Sequence, residues 1–291
     1  MLAAHYWLWL LTQLVDYSGC FLLAYLCYFL HTSENVEIEY PPLQLALVLA
    51  VQGAAAAYIL YLRERVHFWL LEQFRSSVSK PPAWKSPSLT SKSLRYIFQT
   101  TAFSQHSFFW TRLMGYTHHD PYQITGSFWG TQFLQFYTLL VLRDFCFLLP
   151  LHTKMHAEWY HLHKTHHEPT RNLQAMHAFY IDLVDLFVEN AGAPFLLLTF
   201  QRLCGSRIGF HWLVGVLLTC HDASLHSINP YSTLYFNLLL DWRLKGNICH
   251  QLHHALNKGY LLFAPYQHWF SDKRQLDIDR YNRIFQTSYK F

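Results

Sequence analysis

The sequence has few charged residues for its length. Only 14% of its 291 residues are Asp, Glu, Lys or Arg, whereas an average soluble domain has about 25%. Hydrophobic residues make up 52% of the chain and aromatic residues 18%. The shortage of charge points to a membrane protein, and the length allows one large domain or two small ones.

Two further features are missing, and each excludes a class of protein. The chain has no dense basic block, and its formal net charge of +4 is too small to indicate nucleic-acid binding. It has six cysteines but no C-x-x-C motif, and most of the cysteines stand in apolar runs. We therefore expect reduced, buried cysteines and no disulfide framework.

Long apolar runs begin near the N-terminus. Tyr6 to Leu30 is apolar apart from Gln13, Asp16 and a few small polar residues, and Leu43 to Leu62 is a second run. Both are long enough to cross a hydrocarbon core as helices. The segment 63–112, rich in Lys and Arg, should then face the cytoplasm by the positive-inside rule, with an irregular, exposed SKPPAWKSPSLTSK stretch.

The later apolar runs leave the number of membrane crossings open. Phe128 to Leu151 contains the pair Arg143-Asp144, which is tolerable at membrane depth when it faces protein or water. Leu183–Phe200 and Ile208–Cys220 form either a hairpin or two re-entrant pieces. Either 94–127 adds a more polar pass, or 128–151 dips into the membrane without crossing it.

These patterns predict an all-α, polytopic membrane protein with three parts. Residues 1–127 would hold the N-terminal membrane helices and a basic cytosolic linker. Residues 128–270 would form the domain that carries the histidine motifs described next. Residues 271–291 form a polar tail that we expect to be ordered only by docking.

Histidine is over-represented, with 20 residues against 22 Lys plus Arg. H-x-x-H-H occurs at 163–167 and again at 250–254, and H-x-x-x-H occurs at 152–156. On a helix each of these sets would share one face. With this composition H-x-x-H-H should arise by chance about 0.1 times per chain. The pair His221 and His226 has a spacing that no regular helix aligns well, which predicts a bend between them.

Ten of these histidines form a set that suits metal binding. If they converge in the interior they must be neutral, and neutral imidazole is a common ligand of Zn, Cu, Fe and Ni. One metal takes about four to six ligands, so ten imidazoles indicate two metals. The candidate ligands are His152, His156, His163, His166, His167, His221, His226, His250, His253 and His254. Alternatives are a zinc-buffering or zinc-transport protein, a bis-histidine haem protein, or purely structural histidines; we favour a di-metal oxidative enzyme.

The order of these motifs resembles that of the membrane fatty acid hydroxylase and sterol desaturase superfamily. The resemblance covers roughly 128–270. Within the superfamily, the chain is most similar to the sterol C5-desaturase branch. The quoted segments are HKTHHEPT from His163, AMHAF at 175–179, HDASLHSINP at 221–230 and CHQLHH at 249–254.

The resemblance implies an oxidative enzyme of the endoplasmic reticulum membrane. A cytosol-facing helical cap would hold two iron ions on the ten histidines, His221 and His226 included. The enzyme would use O2 to hydroxylate or desaturate a lipid-like substrate: a sterol, a fatty acyl chain or a hydrophobic secondary metabolite. Electrons would come from cytochrome b5 or a reductase, because the chain has no fused His-Pro-Gly-Gly haem-binding segment.

Residues around the motifs refine this expectation. The resemblance implies that Asp144, His177 and Asp222 lie behind the ligands and orient them by hydrogen bonds. Thr153 replaces the usual Arg of the first motif, and Tyr180 stands where many members have histidine. These departures fit a divergent member with a different hydrophobic substrate. Aldehyde decarbonylation and ether-lipid cleavage, which also occur in the superfamily, remain alternatives.

Overall fold

The computed structural model describes eleven stretches of the chain. They are residues 2–32, 42–75, 85–100, 130, 134–139, 142, 150–188, 192–204, 212–232, 246–257 and 273–286. Within these stretches the chain is mostly helical and contains no strand, which confirms the all-α prediction for this part. Most of the run 128–151, with Arg143 and Asp144, lies outside the described residues.

Two long helices occupy the N-terminal part. Helix α1 spans Leu2–Thr32 and helix α2 spans Pro42–Gln73, and they pack against each other. In the described residues, one segment, Tyr6–Leu26, is long and apolar enough to cross a membrane. The crossing by Leu43–Leu62 and the multi-pass topology stay predictions.

Helix α1 turns its polar side chains towards the protein. Thr12, Gln13 and Asp16 are buried. Large apolar side chains stand exposed on the opposite face of the helix: Trp7, Leu14, Phe21 and Tyr25. A helix with apolar side chains outside and polar ones inside suits contact with lipid on its outer face.

Helix α2 extends further than the sequence indicated. The basic linker was expected from residue 63, but the helix continues to Gln73. The segment 63–73 is rich in Arg, Glu and Leu, which are good helix formers, and both Arg63 and Glu64 are buried in contact with other elements. Residues 85–90 are irregular and mainly exposed, as their Ser and Pro content predicts, and 91–100 are helical.

Shorter helices lie further along the chain, and some of them carry the histidine motifs. They are α3 (Thr153–Ala157), α4 (Tyr160–His163), a 3-10 helix (Ala175–Phe179), α5 (Leu183–Leu186), α6 (Gly192–Leu203), α7 (Trp212–Leu225), α8 (Gly246–Leu256) and α9 (Lys273–Phe285). Helix α7 packs against α1, α8 and the 3-10 helix, which places it at the centre of the assembly.

Two local expectations need correction. Helix α7 runs through His221 to Leu225, so the expected bend begins only at His226. Cys204 is exposed, although we expected buried cysteines; Cys20, Cys204 and Cys220 are free thiols.

The C-terminal helix joins the core through aromatic side chains. Tyr281 and Phe285 of α9 pack in one buried cluster with Leu8 of α1, Leu70 of α2 and Leu252 of α8. Burial of an aromatic side chain contributes on the order of 2 kcal/mol. The polar tail is therefore tied down where its aromatic residues dock.

Candidate metal centre

Five histidines from three motifs meet in one buried group. This five-histidine group consists of His152, His156, His163, His167 and His253, and their candidate ligand nitrogens all lie within 4.8 Å of one another. The Nε2 atoms of His152 and His156 are 3.0 Å apart, and the Nε2 atom of His253 lies 3.1 Å and 3.2 Å from them. The side chain of His156 is part-buried, and the other four are buried.

Four further histidines form a second group beside the first. This four-histidine group consists of His166, His226, His250 and His254, all buried. The Nε2 atom of His250 lies 2.7 Å from that of His226 and 3.1 Å from that of His254. The two groups touch, because the rings of His167 and His254 stack with centroids 4.4 Å apart.

Each H-x-x-H-H motif divides its imidazoles between the two groups. This corrects the expectation that each triplet is one face of the cage. In the motif at 163–167, the i and i+4 residues enter the five-histidine group and the i+3 residue, His166, enters the other. In the motif at 250–254 the i and i+4 residues enter the four-histidine group, and the i+3 residue, His253, enters the five-histidine group. Successive helical residues differ by about 100°, so the i+3 and i+4 side chains diverge.

The local backbone also differs between the two motifs. Helix α8 carries the whole second copy, whereas α4 ends at His163 and residues 164–167 form turns. The N–H groups of His166 and His167 both donate to the carbonyl of His163, at 3.1 Å and 3.4 Å. These two bonds keep a helix-like turn beyond the helix end, so the same spacing still separates the side chains.

The nitrogen spacing fits a metal ion. Imidazole nitrogens bind zinc at about 2.0–2.1 Å, and two such ligands at ordinary coordination angles are separated by about 2.9–3.4 Å. The shortest separations within the two groups, 2.7 Å to 3.4 Å, fall mostly in this range. Among the described residues, both ring nitrogens of buried His167 lack a hydrogen-bond partner. An imidazole left unpaired in the interior is costly, unless a metal ion takes its lone pair.

The lowered pKa of several histidines in the two groups favours their neutral form. Burial, helped by the neighbouring imidazoles, lowers the pKa of His166, His250 and His254 well below the usual value. Burial and the nearby His156 do the same to the pKa of His152. Neutral imidazoles keep the lone pair that a metal requires.

Hydrogen bonds from the Nδ1 atoms of three of these histidines orient the rings and their Nε2 lone pairs. The Nδ1–H of His163 donates to Asp185 Oδ2 at 2.8 Å, and both side chains are fully buried. His226 and His254 donate in the same way to the carbonyls of Asp222 and Pro169, at 2.8 Å and 3.1 Å. A proton held on Nδ1 leaves Nε2 free to face the group.

Asp185 is the residue that the sequence interpretation missed. It stands in the stretch IDLVDLF, which was treated as part of an apolar run. Its signal was available, because a carboxylate among apolar residues is expensive unless it has a partner. The partner, His163, lies 22 positions earlier, so the pairing itself appears only in three dimensions.

The remaining predicted site residues lie outside both groups. The Nδ1 atom of His221 pairs with the carboxylate of Asp222 at 3.0 Å. The Nδ1 atom of His177 accepts the backbone N–H of Gln174 at 3.0 Å, which caps the 3-10 helix. Asp144 lies outside the described residues. His161, two residues before His163, is exposed.

The metal-free protein is expected to lose stability as the pH falls below about 6.5. Burial lowers the pKa of His226 to about 4 and that of His177 to about 3. Between these values and 6.5 the unfolded chain binds more protons, so the free energy of unfolding rises with pH across this window. Near pH 5 each such histidine should lower the free energy of unfolding of the metal-free protein by about 2 kcal/mol. Thermal unfolding of the metal-free protein at neutral pH and near pH 5 measures this, and equal midpoints would contradict it.

Comparison of the chain with protein-family models, with curated proteins and with solved structures finds no match. The site is therefore interpreted from its own geometry. That geometry consists of two adjoining, buried, all-histidine groups whose nitrogen spacing and orienting hydrogen bonds suit metal ions.

Proposed function

We propose that this protein is a membrane-bound non-haem di-iron oxygenase of the fatty acid hydroxylase and sterol desaturase superfamily. It would hydroxylate or desaturate a lipid-like substrate with O2, using electrons from cytochrome b5 or a reductase. We place it in the endoplasmic reticulum membrane with the site facing the cytosol. The observation that carries the proposal is the meeting of nine histidines in two adjoining buried groups.

The residues around the groups would do three things for such a reaction. The histidines would hold two metals, and when bound, iron supplies the oxidation of an unactivated carbon. Asp185 would hold the Nδ1 proton of His163 so that its Nε2 faces the metal. Burial of most of the rings would keep bulk water from the reacting centre.

Imidazole ligands alone do not select iron over zinc. A non-enzymatic zinc-binding or transport protein would use the same nitrogens and would consume no O2. The deep burial of eight of the nine rings and their orienting partners favours a permanently held metal centre over a surface buffer. Within the enzyme class, aldehyde decarbonylation and ether-lipid oxygenation remain alternatives because they require the same centre.

Comparative lipid profiling should name the reaction and the substrate together. A host that expresses the chain is expected to accumulate a lipid with one added oxygen atom, or one lacking two hydrogens, only when O2 is present. Purified protein should contain about two irons per chain, as two-metal sites do. Zinc at the same stoichiometry, with no O2 uptake and no lipid change, would favour the carrier instead.

A further inference from the structure

The chain that follows helix α7 is a buried, polar loop. All residues from 223 to 232 are buried, including four polar side chains: Ser224, Ser227, Asn229 and Ser232. The loop (224–232), which includes the last two residues of α7, also carries His226 of the four-histidine group. Buried backbone and hydroxyl groups must find hydrogen-bond partners within the protein. The positions of those partners therefore determine where the loop lies.

Four ionisable side chains from α1 and α2 form a buried charge cluster beside this loop. They are Asp16, Arg63, Glu64 and His67, and none is more than 4% exposed. The Nε atom of Arg63 lies 3.0 Å from Asp16 Oδ1, and the Nε2 atom of His67 lies 3.2 Å from the same oxygen. Charges buried at this depth persist only when they are paired.

The charge cluster bonds directly to the loop. Glu64 Oε2 accepts the backbone N–H of Ile228 at 3.1 Å. Arg63 Nη2 donates to Ser224 Oγ at 3.3 Å and to Ser232 Oγ at 3.1 Å. Ser232 Oγ also donates to Asp16 Oδ2 at 2.9 Å. Both ends of the loop and its middle are thus held by the N-terminal helices.

Helix α8 holds the loop from another direction. The side-chain amide of Asn247 donates to the carbonyls of Ser224 and Ser227, at 2.7 Å and 3.0 Å. The amide of Gln251 donates to the same Ser227 carbonyl at 3.1 Å. Since α8 also carries His250, these bonds set the distance between that ring and His226.

We infer that Glu64, within the buried charge cluster, is a positioning residue for His226 and thereby for the four-histidine group. Helix α2 supplies no histidine to either group, yet its carboxylate fixes the loop two residues after a ligand. The long helices would then help to position a metal ligand, in addition to anchoring the metal centre. This inference rests on the proposed two-metal function.

The test is the metal content of the full-length protein, purified in detergent and loaded with ferrous iron without O2. Glu64→Ala removes the acceptor for the Ile228 N–H. It should lower the content from about two metals per chain to about one. Glu64→Gln keeps an acceptor oxygen and should retain both metals.

Double variants identify which metal is lost. Adding His250→Ala to Glu64→Ala should cause no further loss, because both changes affect the same group. Adding His163→Ala should remove the remaining metal. Glu72→Ala is the matched control, since Glu72 lies two turns further along α2 and pairs with Arg75 at 3.9 Å near the surface.

Several results would overturn the inference. They are two metals retained in Glu64→Ala, one metal lost from Glu64→Gln, or no metal left in the double variant with His250→Ala. If Glu64→Ala fails to fold, the shorter Glu64→Asp decides, because it withdraws the carboxylate from Ile228; two metals in that variant would also overturn the inference. A wild-type chain without two metals would instead refute the proposed function.

Discussion

The variants His163→Ala and His250→Ala are each expected to abolish product formation and to lose one metal, but not the same one. His163 belongs to the five-histidine group and His250 to the four-histidine group. Loss of an outer partner of a metal ligand already costs about 10- to 100-fold in affinity or activity, so loss of the ligand itself should exceed that range. Metal analysis and product formation in microsomes measure the two effects.

The partition of each triplet sharpens this test. His166→Ala should behave like His250→Ala, although His166 lies near His163 in the sequence. His253→Ala should behave like His163→Ala, although His253 lies near His250 in the sequence. A double variant with both changes in one group should lose no more metal than either single variant. A double variant with one change in each group should lose both metals.

His161→Ala is the matched control, because His161 is exposed and lies two residues before His163. This variant should keep full activity and both metals. Full product formation by His163→Ala or His253→Ala would end the oxygenase proposal. Equal loss of both metals in every single variant would end the assignment to two separate groups.

Asp185→Asn is expected to reduce metal affinity and activity by about 10- to 100-fold. The carboxylate accepts the Nδ1–H of His163 at 2.8 Å in a fully buried pair. Asparagine has nearly the same volume but no charge, so it holds that proton less strongly and makes the ligand nitrogen less basic. Competition with a chelator measures the affinity, and product formation measures the activity.

The effect of Asp185→Asn should be confined to the metal of the five-histidine group. Metal bound by the four-histidine group should keep its affinity, because its orienting acceptors are the carbonyls of Asp222 and Pro169. Glu158→Gln is the control, since Glu158 is exposed and lies close to the first motif. Unchanged chelator competition in Asp185→Asn would show that the pair does not tune the site.

Spacing and composition predicted much of the site. Nine of the ten candidate ligands gather in two groups, and within each motif the i and i+4 imidazoles enter the same group because they project from one face of a helical turn. His221 is the exception: it lies in α7, one residue before its partner Asp222. The sequence predicted a bend between His221 and His226, but α7 continues to Leu225 and the turn begins only at His226.

Other features depended on contacts between distant parts of the chain. Gln13 and Asp16 looked like polar interruptions of an apolar run. In the structure Gln13 donates to the carbonyl of Tyr231 and Asp16 pairs with Arg63. Such pairings, more than 40 positions apart, leave no periodic trace in the sequence. Local pattern therefore showed that these residues were unusual without showing what they bind.

The sequence by itself determined the helical class, the apolar first helix and the set of histidines, because periodicity and spacing act locally along the chain. Only the tertiary structure decided which imidazole joins which group, that Asp185 stands behind His163, and that Glu64 holds the loop with His226. These depend on how helices lie against one another, and that arrangement follows from burial and hydrogen bonding across the whole fold.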